Sequence, residues 1–361
     1  MQISKRNGTT EPYVADKIKR AMGAAFSSVG THLADDEADR LVAGIERAMS
    51  EAAAQNGGAV AVEDVQDLVE RALMEANHYQ ELKSYILYRE DRARKRAARE
   101  RLCAQLPGIA ALPGVLAAVQ KEFAGEEYEL AHLHHKFQSF AKPDATDDQK
   151  LAMLIKAAVE LTTQEAPRWE IIAARLLMVQ FDRALDERMT ARHIETFTQK
   201  VAFLTEEGLY GDYILQHYTP AELSEAASFL DPARNNLFTY AGLQLLLDRY
   251  VIRTHQGAPL ESPQEMFLGI ALHLAMEEDP AERLGWVRRF YDMLSTLKVT
   301  MATPTLSNAR KPFHQLSSCF VDTVPDSLDG IYRSIDNFAK VSKYGGGMGL
   351  YFGKVRASGS A

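Results

Sequence analysis

Hydrophobic and polar positions predict a small mixed unit in the first hundred residues. Two β-prone runs, residues 2–6 and 9–14, flank Asn7-Gly8, a pair that accepts positive φ and is typical of a tight hairpin turn. Apolar positions then recur at helical spacing. They predict helices from about Ala15, over residues 35–54, from about Val62 and from about Tyr79, so we expect a hairpin beside four helices.

The middle of the chain is predicted to be almost entirely helical, from about residue 146 to residue 297. Thr146 with Gln149, and Ser262 with Glu265, have the spacing of capping boxes that begin helices. Before this segment, Pro107-Gly108 and Pro113-Gly114 indicate a connector.

The pattern changes after Val299. β-prone pieces at residues 315–321 and 350–355 flank a helical piece at residues 327–343, an order typical of a βαβ sheet or barrel. One such unit cannot cover its own sheet, so we expect an incomplete domain. The predicted fold class is mostly α with α/β parts.

Composition narrows the possible functions. The 361 residues carry a net charge of −8, which argues against a general nucleic-acid binder. No stretch approaches the roughly 20 apolar residues that span a bilayer. Two cysteines, Cys103 and Cys319, are too few for a disulfide framework or a cysteine zinc site. We expect a cytoplasmic protein that binds neither nucleic acid nor membrane.

Two polar runs have ordinary explanations. The basic run at residues 92–96 is interpreted as a solvated helix end that faces the negative end of the helix dipole, rather than a nucleic-acid patch. His132, His134 and His135 do not share one helical face, so we expect no metal site.

Four short motifs could carry chemistry: Thr303-Pro304-Thr305, residues 317–319 ending at Cys319, residues 326–329, and the glycine run at 345–349. Each also has a structural explanation. The first is typical of a turn, Cys319 could be a small buried group, Asp326 could cap a helix that begins at Ser327, and glycines suit a tight turn. Their functional alternatives are phosphate binding by backbone N–H groups, ribose binding by a carboxylate, and thiol redox chemistry.

The order of these motifs changes their weight. The last sixty residues contain ATPTLSNA, QLSSCF, DSLDGIY, SKYGGGMG and VRASGS. They closely resemble the start of the catalytic barrel in the large (alpha) subunit of class I ribonucleotide reductases. The preceding helical stretch resembles the same family through EAPRWEIIAARLLM, FTYAGLQLLLDRY, SPQEMFLGIA and RRFYDMLST, and the first 95 residues resemble its ATP-cone module through ISKRNGTTEPYVADKI and YILYREDRARKR.

The resemblance implies an ATP cone at residues 1–98, a connector at 99–145, a helical domain at 146–298 and the truncated start of an α/β barrel at 299–361. It implies that Cys319 is a redox-active cysteine in the substrate site. It also implies substrate contacts from Thr303, Ser318, Gly346 and Gly347.

Two allosteric nucleotide sites follow from the same resemblance. Asp326, Ser327, Leu328 and Arg356 match the specificity site. A second group matches the overall-activity site in the cone: Ile3, Lys5, Arg6, Glu11 and Lys17. Val14, Val62 and Gln66 stand where the family often has polar contacts, so the cone could instead serve mainly in oligomerisation.

The implied effectors are Mg-bound ATP or dATP and other deoxynucleoside triphosphates. The implied partners are a small (beta) subunit that supplies the radical, the remaining C-terminal part of the large subunit, a thioredoxin-type reductant and further copies of this chain. Because Cys103 matches none of the family's other cysteines, we expect no turnover by this chain alone. The alternatives are a stand-alone nucleotide-sensing module and a fragment of an adenosylcobalamin-dependent (class II) reductase.

Overall fold

The computed structural model describes residues 1–6, 8–55 and 58–360. Contacts divide the chain into two units, Met1–Arg101 and Leu102–Ala361. Asn7 in the predicted hairpin turn, and Asn56 and Gly57 in the break before the third helix, lie outside the described residues. None of the helices in the described part is long and apolar enough to cross a membrane.

The first unit is a three-stranded sheet with four helices, and the predicted hairpin is confirmed. Its elements are β1 (Gln2–Ser4), β2 (Thr10–Pro12), α1 (Ala15–Ser28), α2 (Asp35–Gln55), β3 (Ala59–Ala61), α3 (Val62–Glu75) and α4 (Tyr79–Gln105). Strand β1 pairs antiparallel with β2 and parallel with β3. Sequence analysis missed β3, because three residues between two helices show no alternation long enough to predict a strand.

The core of this unit is formed by one face of each helix over one face of the sheet. Ile3 and Val60 are buried from the strands, and Met22 and Phe26 from α1. Helix α3 buries Val65, Val69 and Leu73, with Leu68 and Ala72 packed at the edge. This is the face that its apolar spacing predicted.

The second unit is mainly helical. Its helices are α5 (Leu112–Glu122), α6 (Leu130–Gln138), α7 (Asp147–Glu160), α8 (Trp169–Thr190), α9 (Phe197–Glu206), α10 (Tyr213–His217), α11 (Pro220–Ala227), α12 (Tyr240–Arg249), α13 (Pro263–Ala275), α14 (Arg283–Ser295), α15 (Thr303–Asn308) and α16 (Leu328–Lys343). Both predicted capping boxes are present, at Thr146 and at Ser262. Helix α13 is apolar on nearly every side and lies at the centre of the core.

The predicted connector is more helical than its proline–glycine pairs indicated. Helix α4 continues to Gln105, well past the basic run, and Pro113-Gly114 lies in the first turn of α5 rather than in a loop. Proline is tolerated there because a first-turn residue needs no N–H for the helix.

The last segment forms one parallel strand–helix–strand unit. Strand β4 (Cys319–Thr323) pairs with β5 (Gly347–Tyr351), and α16 connects them. Both strands differ from the predicted ranges: β4 begins later than predicted, and β5 begins earlier because the glycine run itself enters it. Val321 is 85% exposed and Leu328 71% exposed, so this unit leaves much apolar surface in contact with water.

Candidate nucleotide and thiol sites

The structure brings the predicted thiol and the glycine run together at one end of the β4–β5 pair. Cys319 lies opposite Gly347 in the strand register, and the Gly347 N–H donates to the Ser318 carbonyl at 2.7 Å. Cys319 is exposed, and the Ser318 hydroxyl donates to its sulfur at 3.4 Å. A thiol, a hydroxyl and a side-chain-free stretch of backbone therefore share one exposed edge.

The glycines of this run have different roles. Gly345 has a φ of +83°, which favours glycine. A Cβ on Gly346 would lie 2.7 Å from atoms of both Phe320 and Val341, so this glycine allows α16 to end tightly against β4. Gly347 is exposed, and a Cβ there would lie 3.6 Å from the Ser318 carbonyl oxygen, which is an ordinary contact distance.

Thr303 begins helix α15 and does not form the turn that its proline suggested. Its hydroxyl lies 3.2 Å from the hydroxyl of Tyr250. Further along α15, the Thr305 hydroxyl donates to the Leu316 carbonyl and the Asn308 amide donates to the Gln315 carbonyl. These bonds tie α15 to the residues that lead into Ser318 and Cys319.

The predicted specificity-site residues Asp326 and Arg356 are in direct contact. One carboxylate oxygen of Asp326 accepts from the Arg356 backbone N–H at 3.2 Å, and the other accepts from its Nε at 2.7 Å. The backbone hydrogen bond, followed by the guanidinium, lowers the pKa of Asp326. The expectation that Asp326 caps α16 is wrong. Ser327 is the N-cap, with its hydroxyl accepting from the Gly330 N–H, because Asp326 is already bound to Arg356.

In the cone, two of the predicted lysines converge on one carboxylate. Glu11 binds Lys5 at 2.7 Å and Lys17 at 2.9 Å. Hydrogen bonds from Lys5 and then Lys17 lower the pKa of Glu11. Ile3 is buried in the core, so its side chain has a structural role.

The remaining predicted cone residue, Arg6, lies at a cavity of about 180 Å³. Arg6 bonds to Glu63 and, at 3.2 Å, to Gln66. The other lining residues are Ala21, Gln66, Tyr85, Tyr88, Arg89, Arg92 and Arg96. Of the arginines that line this cavity, Arg6 pairs with Glu63, and Arg89 pairs with Asp67 and Glu70. Burial, followed by the charge of Arg6, lowers the pKa of Arg96.

Sequence analysis missed most of this cavity. Tyr85, Arg89, Arg92 and Arg96 recur every three or four residues on α4, and that spacing on one helix face was a usable signal. Gln66, interpreted as a departure from the family, lines the same cavity as Arg6. Val14 precedes α1 and Val62 begins α3, and neither lines the cavity.

Two of the three histidines of α6, His132 and His134, make separate polar contacts. His132 bonds to the Glu126 carbonyl, and His134 lies 3.2 Å from the Gln105 amide. Within residues 1–6, 8–55 and 58–360, no cluster of three or more His, Cys, Asp or Glu residues could hold a metal ion.

Three protein families match the chain, in the order of its structural segments. An ATP cone domain matches residues 1–94, the all-alpha domain of ribonucleotide reductase matches residues 236–314, and the barrel domain of the same enzyme matches residues 317–361. The segments therefore match, in order, an ATP cone and then the all-alpha domain and the start of the barrel domain of ribonucleotide reductases.

Individual relatives indicate which subunit the chain resembles. A ribonucleoside-diphosphate reductase subunit alpha of Treponema pallidum (strain Nichols) is 56% identical over 363 residues, covering 100% of this chain and 43% of that protein. Subunits alpha of Chlamydia trachomatis and Helicobacter pylori are 30% and 35% identical, over 100% and 60% of this chain and 36% and 26% of those proteins. The chain belongs to the ribonucleotide reductase alpha-subunit family, and it spans less than half the length of these relatives.

Proposed function

We propose that this chain contributes two allosteric nucleotide sites and one wall of the substrate pocket to the reduction of ribonucleoside diphosphates. The observation that supports this most strongly is the position of Cys319 directly opposite Gly347, with the Ser318 hydroxyl on the thiol. A ribose held by this backbone would lie beside a group able to donate reducing equivalents.

Electron counting explains why the chain would not turn over by itself. Removing a 2′-hydroxyl as water takes two electrons and two protons, which two thiols supply when they form one disulfide. Cys319 is one thiol, and Cys103 lies in the last turns of α4, remote in sequence from the pocket segment. The second thiol and the radical-forming cysteine would come from the remaining part of a large subunit. A small metal-containing subunit would supply the radical, and a thioredoxin-type donor would reduce the disulfide.

The specificity site would use Asp326 for the ribose hydroxyls of an effector and Arg356 for its phosphates, with Ser327 and Leu328 at the helix start. The activity site would place the Mg-bound triphosphate of ATP or dATP near Arg6, Arg92 and Arg96. Guanidinium groups suit phosphate because each can bind two oxygens at once.

Thermal denaturation with and without Mg-ATP or Mg-dATP tests the cone assignment. The Asp326→Ala background removes the contribution of the specificity site. In that background a nucleotide at 100 times its Kd should stabilise the chain by about 2.7 kcal/mol. Adding Arg6→Ala and Arg92→Ala should abolish the effect, whereas Arg47→Ala, an exposed residue on α2, should preserve it. Full stabilisation in the Arg6/Arg92 variant would place the nucleotide elsewhere.

A stand-alone nucleotide-sensing module is the second candidate, because the arginine-lined cavity of the cone lies within the first unit and needs no thiol. Mixing the chain with a polypeptide that carries the missing reductase cysteines distinguishes the two functions. Deoxynucleotide formation would support the reductase, and nucleotide binding without a complex would support the sensor. We also propose cytoplasmic location and homo-oligomerisation.

A further inference from the structure

A fully buried ion pair lies against helix α15, the helix that begins at Thr303. Arg310 and Glu261 have no exposed side-chain surface. Arg310 Nε lies 3.1 Å from both carboxylate oxygens, and Nη2 contacts the carboxylate as well. The Tyr210 hydroxyl and the Ile252 N–H also donate to Glu261, at 2.7 and 2.8 Å. The Glu261 carboxylate therefore accepts hydrogen bonds from four donor groups.

The rest of Arg310 joins two helix ends. Its Nη1 donates to the Leu306 carbonyl in α15 at 2.8 Å, and its Nη2 donates to the Tyr250 carbonyl, just after α12, at 2.7 Å. The space around it is tightly filled, since a Cβ on Gly269 would lie 2.8 Å from Arg310 Cδ. The end of α12 and helix α15 are thus fixed to one rigid group.

Tyr250 extends this constraint to Thr303. Its backbone is bound by Arg310, and its half-buried side chain brings the hydroxyl to 3.2 Å from the hydroxyl of exposed Thr303. Because two hydroxyls share this bond, one of them donates and the other keeps its hydrogen for a ligand.

We propose that Tyr250 is a positioning residue of the substrate pocket, fixed by the Arg310–Glu261 pair and acting through the Thr303 hydroxyl. The proposal rests on the proposed function only in taking Thr303 as a substrate contact. A ribonucleotide at Thr303 would meet a pair of coupled hydroxyls whose geometry is set by the all-alpha segment.

NMR of the whole chain with ¹³C-methyl threonine tests this without any nucleotide. Tyr250→Phe removes one hydroxyl, and loss of an ordinary hydrogen bond changes a two-state side-chain equilibrium about fivefold. The Thr303 methyl signal, assigned with Thr303→Ser, should shift, while those of Thr196 and Thr219 at distant helix starts should not. Tyr240→Phe, at the other end of α12, is the matched control and should leave Thr303 unchanged.

Arg310→Lys is the second variant, since lysine keeps the charge but cannot bind Glu261 and the Tyr250 carbonyl in the same fork. It should shift the Thr303 signal in the same direction as Tyr250→Phe. An unchanged Thr303 signal in Tyr250→Phe would overturn the proposal, whether or not Arg310→Lys folds. Failure of nucleotide stabilisation together with a responsive Thr303 would instead count against the proposed function alone.

Discussion

Two arginine clusters, one in each unit, use the same side chain in opposite ways. In the cone, Arg6, Arg92 and Arg96 surround a cavity, and burial followed by the charge of Arg6 lowers the pKa of Arg96. In the second unit, burial alone would lower the pKa of Arg310, but the charge and hydrogen bonds of Glu261 raise it above its ordinary value.

This difference separates a binding site from a structural element. Several arginines beside a cavity are suited to an anion, because each guanidinium can bind two oxygens at once. Positive charge that a buried carboxylate neutralises has no capacity left for a ligand and serves instead to fix the backbone.

The largest expected effect is on the buried pair. Glu261→Gln leaves the shape almost unchanged but strands the charge of Arg310, and breaking one partner of a buried pair costs about 3–5 kcal/mol of unfolding free energy. Urea unfolding followed by the fluorescence of Trp169 and Trp286, both in the second unit, measures this. Asp336→Asn, which breaks the exposed pair with Lys340, should cost about 0–1 kcal/mol. Equal losses of unfolding free energy in the two variants would contradict a structural role for the buried Arg310–Glu261 pair.

Acid should destabilise the second unit through His273. Burial, and then the charge of His314, lower its pKa from 6.5 to about 4. Between these pH values the unfolded chain takes up a proton that the folded chain excludes, so stability falls as the pH drops through this window, by at most about 3 kcal/mol.

His273→Gln supplies the control for this pH dependence. Asp182, whose pKa is raised to about 6 chiefly by desolvation, titrates in the same window. Because Asp182 is present in both wild type and variant, its contribution cancels in the difference between their unfolding free energies. The difference in unfolding free energy between wild type and variant should depend on pH between 6.5 and 4. A constant difference would mean that His273 protonates freely in the fold.

A smaller effect is expected in the ligand-free cone. Arg96→Met removes repulsion from Arg6 and Arg92 together with attraction to Glu100 and Glu63, so ligand-free stability should change by no more than about 0.5 kcal/mol while nucleotide stabilisation weakens. Circular dichroism with and without Mg-ATP measures both quantities, and added salt should reduce both differences. A marked loss of ligand-free stability would mean that Arg96 has a structural role like that of Arg310.

The sequence predicted what local rules control. Thr146 and Ser262 cap helices as expected, and Gly8 lies in the left-handed region beside the predicted hairpin. Tertiary contacts determined the features that the sequence did not predict. Ser327 caps α16 because Arg356, thirty residues beyond Asp326, binds that carboxylate, and the basic run of α4 faces a cavity because Arg6 packs beside it. Neither partner can be deduced from neighbouring residues.

The smallest effect concerns the exposed contact between Asp326 and Arg356. This arginine is paired, unlike an open binding site, but it is not buried as Arg310 is. The pKa of Asp326 is lowered in the folded chain. The contact therefore contributes its full stabilisation above the ordinary pKa of aspartate, and this stabilisation is lost as the pH falls through the lowered value. Asp326→Asn should leave global stability nearly unchanged, yet the Arg356 amide, which donates to Asp326, should exchange its hydrogen faster. Asp329→Asn, on the first turn of α16, is the control and should leave that amide protected. If the Arg356 amide exchanges at the wild-type rate in both variants, the contact with Asp326 does not order Arg356. The ligand-free specificity site would then resemble the arginine-lined cavity of the cone more than the buried Arg310–Glu261 pair.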